Sequence, residues 1–134
     1  MKAKLFIRAA AIFVLLHLMG HIVGTSTWKQ GPNRAVQTVI DGMQSQRFNF
    51  MGRMVSLGDF FTGYGHSMTG VLLMLIVSLW LLSNDTVSRI SVQLRALIGI
   101  TLLFLAIMEW IFFFPLAAAL SLLAGICALV SLKE

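Results

Sequence analysis

Apolar residues gather into four long runs along this chain, and the polar and charged residues collect almost entirely between them. The runs cover about residues 5–23, 59–82, 92–114 and 116–132. A helix that crosses a bilayer needs roughly 20 mostly apolar residues. The pattern therefore predicts an all-α fold, a four-transmembrane-helix bundle that occupies residues 1–134 as a single transmembrane domain.

The breaks between the runs carry their own signals. From Thr25 to Val55 the chain is polar, with a turn at Gly31-Pro32-Asn33. Within it Val36, Val39, Ile40 and Met43 fall at helical spacing, which predicts a short amphipathic helix over 33–44. Such a helix either lies at the membrane interface as a static cap or moves as a lid. Ser56-Leu-Gly-Asp59 has the form of a capping box with Asp in place of Glu and opens the second run. A polar connection at 83–88 separates the second and third runs, and Pro115 ends the third. There is no internal repeat, and no linker divides the chain.

Composition agrees with a membrane protein. The 134 residues are 58% hydrophobic and only 11% charged, far from the balance of soluble domains. A formal charge of +5 does not point to nucleic acid, because the basic residues sit in the N-terminal tail and the loops, as the positive-inside rule describes. With both termini inside, Lys2, Lys4, Arg8, Arg89, Arg95 and Lys133 fall on the inner side, and Lys29, Arg34, Arg47 and Arg53 on the outer. The expectation is a multi-pass protein of a bacterial inner membrane with both termini cytoplasmic. The first run also resembles a cleavable signal peptide, although paired histidines sit badly in a disposable core. Cys127, the one cysteine, reads as a small hydrophobe, so no disulfide or thiolate cluster is expected.

Ionisable groups inside the runs are the candidates for chemistry. His17 and His21 are four residues apart and share a helical stripe with Gly20 and Gly24. Counting inward at about 1.5 Å per residue places His21 some 4 Å below the outer boundary. The same count puts His17, His66 and Glu109 each roughly 8–11 Å below it, so three helices deliver ionisable side chains to one layer. An intramembrane carboxylate must be protonated, paired or ligated. His17, His66 and Glu109 are accordingly the candidate catalytic or proton-handling set, with His21, Tyr64 and Trp110 as ligand-binding neighbours. A metal or haem reading would use His17, His21, His66 and Glu109 as a nitrogen and oxygen ligand set. Each histidine also has a simpler account as an interhelical hydrogen-bond group, and aromatic residues near an interface commonly act as belt anchors.

The motif His17-x-x-Gly20-His21-x-x-Gly24, the Trp28-Lys29 pair, Asp59-Phe-Phe61 with Gly63-Tyr-Gly65, and Glu109 resemble small bacterial four-helix membrane proteins of DoxX-like layout. That resemblance implies an inner-membrane four-helix bundle and brings no activity with it. A fainter similarity to sterol-isomerase-type membrane domains matches no motif residue by residue. Two functions follow as expectations. One is a buried His/Glu pocket near the outer face that binds or transforms a small lipidic or redox ligand such as a quinone. The other is an accessory subunit of a larger membrane complex, docking against other membrane subunits without catalysis of its own. Ion conduction fits less well, because the inner half of the runs offers no relay of polar groups.

Overall fold

The computed structural model describes residues 2–133. Its elements are α1 (Lys2–Thr27), α2 (Arg34–Ser45), β1 (Arg47–Phe50), β2 (Arg53–Ser56), α3 (Leu57–Leu82), α4 (Arg89–Phe112) and α5 (Pro115–Val130). Helices α1, α3 and α4 are each long and apolar enough to cross a membrane. The third run ends two residues early, and the fourth forms a helix too short for the full span expected of it. Phe113 and Phe114 leave the helical conformation, Pro115 starts α5 where its missing N–H costs nothing, and 16 residues remain. That helix is about 24 Å long, somewhat less than a hydrocarbon core of about 30 Å.

The chain divides into two compact units, residues 1–20 with 71–134, and residues 21–70. In the first unit, α1 buries Ala3, Ile7, Ala10, Ala11, Val14, His17 and Leu18, a stripe at three- and four-residue spacing. Cleavage after this helix would strip Ile7 and Val14, which are almost fully buried, from the core. Leu72, Leu75 and Leu79 of α3 are buried in the same unit. Large apolar side chains remain outside: Leu97, Ile100, Phe104 and Ile107 of α4 are all more than half exposed. So much exposed apolar surface suits lipid, not water.

Helices α4 and α5 approach closely through small residues. A Cβ on Gly125 would stand 2.9 Å from Leu103 Cδ2 and 3.1 Å from the Gly99 carbonyl oxygen, and a Cβ on Gly99 would meet the Leu129 side chain at 2.7 Å. Ala117, Ala118, Ser121, Ala124 and Ala128 continue the same face of α5. Lacking a hydrophobic drive between helices in lipid, such surfaces gain from van der Waals contact and interhelical hydrogen bonds.

A second polar cluster holds the loop between α3 and α4. Arg95, 1% exposed, donates from Nη2 to the Thr86 carbonyl at 2.7 Å and from Nη1 to the Ser131 carbonyl at 2.9 Å, and Nε donates to the Ser91 carbonyl at 3.3 Å. Counted in the sequence only as one of the inner-side loop charges, Arg95 is buried and ties the loop to the carbonyl end of α5, where a cation also suits the helix dipole. Arg8 lies over the Trp80 ring at 4.9 Å and donates to Ser83 Oγ at 3.4 Å.

In the second unit the amphipathic helix appears as α2, capped by Asn33, whose side chain accepts from the Val36 N–H at 3.0 Å. Gln37 fastens the preceding turn to it, accepting from Gly31 N–H at 2.7 Å and donating to the Lys29 carbonyl at 3.2 Å. The capping box forms as expected: Asp59 Oδ2 accepts from Ser56 N–H at 2.9 Å, and Ser56 Oγ accepts from Asp59 N–H at 3.1 Å. Between α2 and α3 the chain makes an antiparallel hairpin, which the all-helical reading did not include. Its turn, Met51-Gly52, has positive φ at both residues, as a two-residue turn between twisted strands requires.

Candidate functional site

The first unit contains a buried polar group that includes two of the residues singled out in the sequence, His17 and Glu109. His17 Nε2 lies 3.5 Å from Glu109 Oε1, and His17 Nδ1 lies 3.1 Å from Ser121 Oγ. One imidazole thus links α1, α4 and α5. His17 is 8% exposed and Ser121 1%, so little water reaches the three. The helical period explains the arrangement. His17 continues the buried stripe of Ile7, Ala10 and Val14, and Glu109 follows Leu102 and Ala106 on the buried face of α4. Ser121 was missed, because a lone hydroxyl in an Ala- and Leu-rich run reads as packing. Its signal was its place among Ala117, Ala118, Ala124 and Gly125, the small face along which α4 lies.

The other expected members belong elsewhere. His21 and His66 lie in the second unit. Among the described residues no group of three or more His, Cys, Asp or Glu side chains is placed to hold a metal ion. Within the first unit the approach between members of the expected set is the His17–Glu109 pair. His21 Nε2 instead lies 2.8 Å from the Gly65 carbonyl oxygen, and a carbonyl only accepts, so that nitrogen carries a proton. Gly65 permits the approach, since a Cβ there would stand 2.7 Å from the Thr25 methyl. Trp110 is 69% exposed, Phe112 72% and Phe113 70%, so this aromatic run faces outward, as membrane belts do.

His66 and Tyr64 line a different feature, an open cleft of about 710 Å³ in the second unit. Lys29, Arg47, Arg53 and Asp59 contribute its charges, and Phe60 and Val55 its apolar wall. Arg47 is engaged within the unit: Nη2 donates to the Met54 carbonyl at 2.6 Å and lies 3.8 Å from Asp59 Oδ2. Phe60 is held by Phe50, edge to face at 5.3 Å between centroids, and by Phe48 at 6.2 Å. The hairpin thereby brings two arginines and an aromatic wall to one opening. Short strands missed by periodicity are the reason this feature was not foreseen.

No family model, curated protein or solved structure matches this chain. Any functional reading therefore rests on the geometry.

Proposed function

We propose that this chain is a multi-pass protein of a bacterial inner membrane, with α5 as a fourth crossing beside α1, α3 and α4 and both termini cytoplasmic. In this reading the His17–Glu109 pair exchanges a proton with a small lipidic or redox ligand, in a layout like that of the DoxX-like proteins. The observation that carries it is the 3.5 Å approach of Glu109 Oε1 to His17 Nε2 within a membrane-length helical unit. A carboxylate beside an imidazolium has no net charge, and moving the Nε2 proton to Glu109 leaves a neutral acid and a neutral imidazole. Both forms are therefore tolerable away from water, where a lone charge is not. Nδ1–H donates to Ser121 Oγ in both, which holds the ring while the proton moves.

A second reading is favoured by the 1% exposure of Ser121. Here the three side chains act as a tie between helices in an accessory subunit that docks against other membrane subunits. One experiment separates the two. Infrared difference spectra are recorded on the purified full chain with decylubiquinone, for the wild type and for Glu109→Gln and His17→Gln. A protonated-carboxyl band perturbed by the quinone in the wild type and absent from Glu109→Gln supports proton exchange. A wild type with no quinone-dependent carboxyl band, or a band that persists in Glu109→Gln, overturns it, and variants that lose helical structure together support the tie.

A further inference from the structure

The open cleft of the second unit shares no lining residue with the His17, Glu109 and Ser121 group. Three cations, Lys29, Arg47 and Arg53, face it against one carboxylate, Asp59. Asp59 is engaged twice, by the Ser56 N–H and by Arg47. Among the described residues Lys29 and Arg53 make no ion pair with a carboxylate, and both are exposed at the opening. Imidazole and hydroxyl groups from His66, Thr62 and Ser67 add hydrogen-bonding capacity along one wall. The opposite chemistry lies beside them: Phe60, fixed by Phe48 and Phe50, offers an apolar edge.

We infer that this cleft binds the phosphate headgroup of an anionic phospholipid, with Lys29 and Arg53 as the phosphate-binding cations. Two observations favour a lipid over a free anion. The cationic groups stand next to an aromatic wall, which a glycerol backbone and the first acyl carbons would cover and a free ion would leave bare. Residues 60–67 also belong to the first turns of α3, a helix long and apolar enough to cross a bilayer, so the cleft opens where headgroups lie. Its volume falls within the usual range for small-molecule sites. Anionic surfaces attract basic side chains with about fivefold in affinity for each Lys or Arg close to them. The inference is independent of whether His17 and Glu109 move a proton.

The test uses the full chain in neutral maltoside micelles. Phosphatidylglycerol and phosphatidylcholine are titrated in equal amounts, and bound lipid is counted by native mass spectrometry. The wild type is expected to favour phosphatidylglycerol by about tenfold or more, and Lys29→Gln/Arg53→Gln to lose up to about thirtyfold in that lipid's affinity, from about fivefold per cation. Both side chains are exposed, and the helical circular dichroism of the variant checks that it folds. Raising salt should weaken wild-type binding and barely affect the variant. Equal retention of the two lipids by the wild type, or a preference unchanged in the variant, overturns the inference. Displacement of phosphatidylglycerol by inorganic phosphate at equal concentration overturns the assignment to lipid and marks a free-anion site.

Discussion

Replacing Arg95 with methionine keeps most of the aliphatic stem and removes every donor. In the native chain the guanidinium serves the carbonyls of Thr86, Ser131 and Ser91, and Nη1 also reaches Ser131 Oγ at 3.2 Å. The 2.7 and 2.9 Å contacts are the strong ones, and hydrogen bonds to a charged group each contribute about 1.5–3 kcal/mol. Against them stands the cost of keeping a cation at 1% exposure, which disappears in the variant. Two carbonyls left without donors at the end of α5 and in the α3–α4 loop should outweigh that relief, for a net loss of about 2–4 kcal/mol. Arg95→Lys, with one ammonium in place of a fork, can serve one of the two anchors at full strength and should lose about half as much. Reversible unfolding in mixed micelles, followed by circular dichroism, measures both. If Arg95→Met unfolds within about 0.5 kcal/mol of the wild type, the surface-substitution range, then burial of the cation cancels its bonds and the tie is no anchor. If Lys costs as much as Met, the fork geometry carries the whole effect.

Two further perturbations follow from the helix crossing and the loop. Gly125→Ala places a methyl 3.1 Å from the Gly99 carbonyl, a backbone atom that cannot swing away, and should cost about 1–3 kcal/mol, whereas Gly70→Ala in α3, with nothing within 4 Å, should be neutral or gain up to about 1 kcal/mol of helix propensity. The same unfolding assay reads both, and equal effects would refute the close crossing. The Asp85 carboxyl is held below its ordinary value of 3.8 by the Ser88 hydroxyl and then by the Ser88 and Val87 N–H groups. Because its folded value is the lower one, its contribution is complete above 3.8 and is lost as pH falls through the folded value. The melting temperature of the wild type should therefore fall more steeply below pH 4 than that of Asp85→Asn, and parallel curves would refute the assignment.

What could be read from the chain alone was whatever depends on local period. Apolar runs located α1, α3 and α4, the Val36, Val39, Ile40 and Met43 spacing located α2, and Ser56 with Asp59 located the start of α3. Depth counting brought His17 and Glu109 together, since both continue a buried stripe on their own helices. It could not say which way His66 points around its helix, and that residue lies in the other unit, lining the cleft. His21 shares a stripe with His17, yet its partner is the Gly65 carbonyl, a choice fixed by how closely a glycine lets another backbone approach. Arg95 was taken for a loop charge because its acceptors, Thr86 and Ser131, lie 9 and 36 residues away in sequence. Strands of four residues are too short for alternation to register, and Met51-Gly52 lacks the asparagine that announces such a turn.

The hairpin gives a practical handle on orientation. Its ends are held by a fixed register from Arg47 opposite Ser56 to Phe50 opposite Arg53, while Met51 at the tip is 92% exposed. A short epitope spliced between Met51 and Gly52 would lengthen a loop whose closure entropy grows only slowly with length. Antibody access to that epitope in intact cells, compared with permeabilised ones, would then report directly which side of the bilayer the segment occupies, a question that loop charges alone answer weakly.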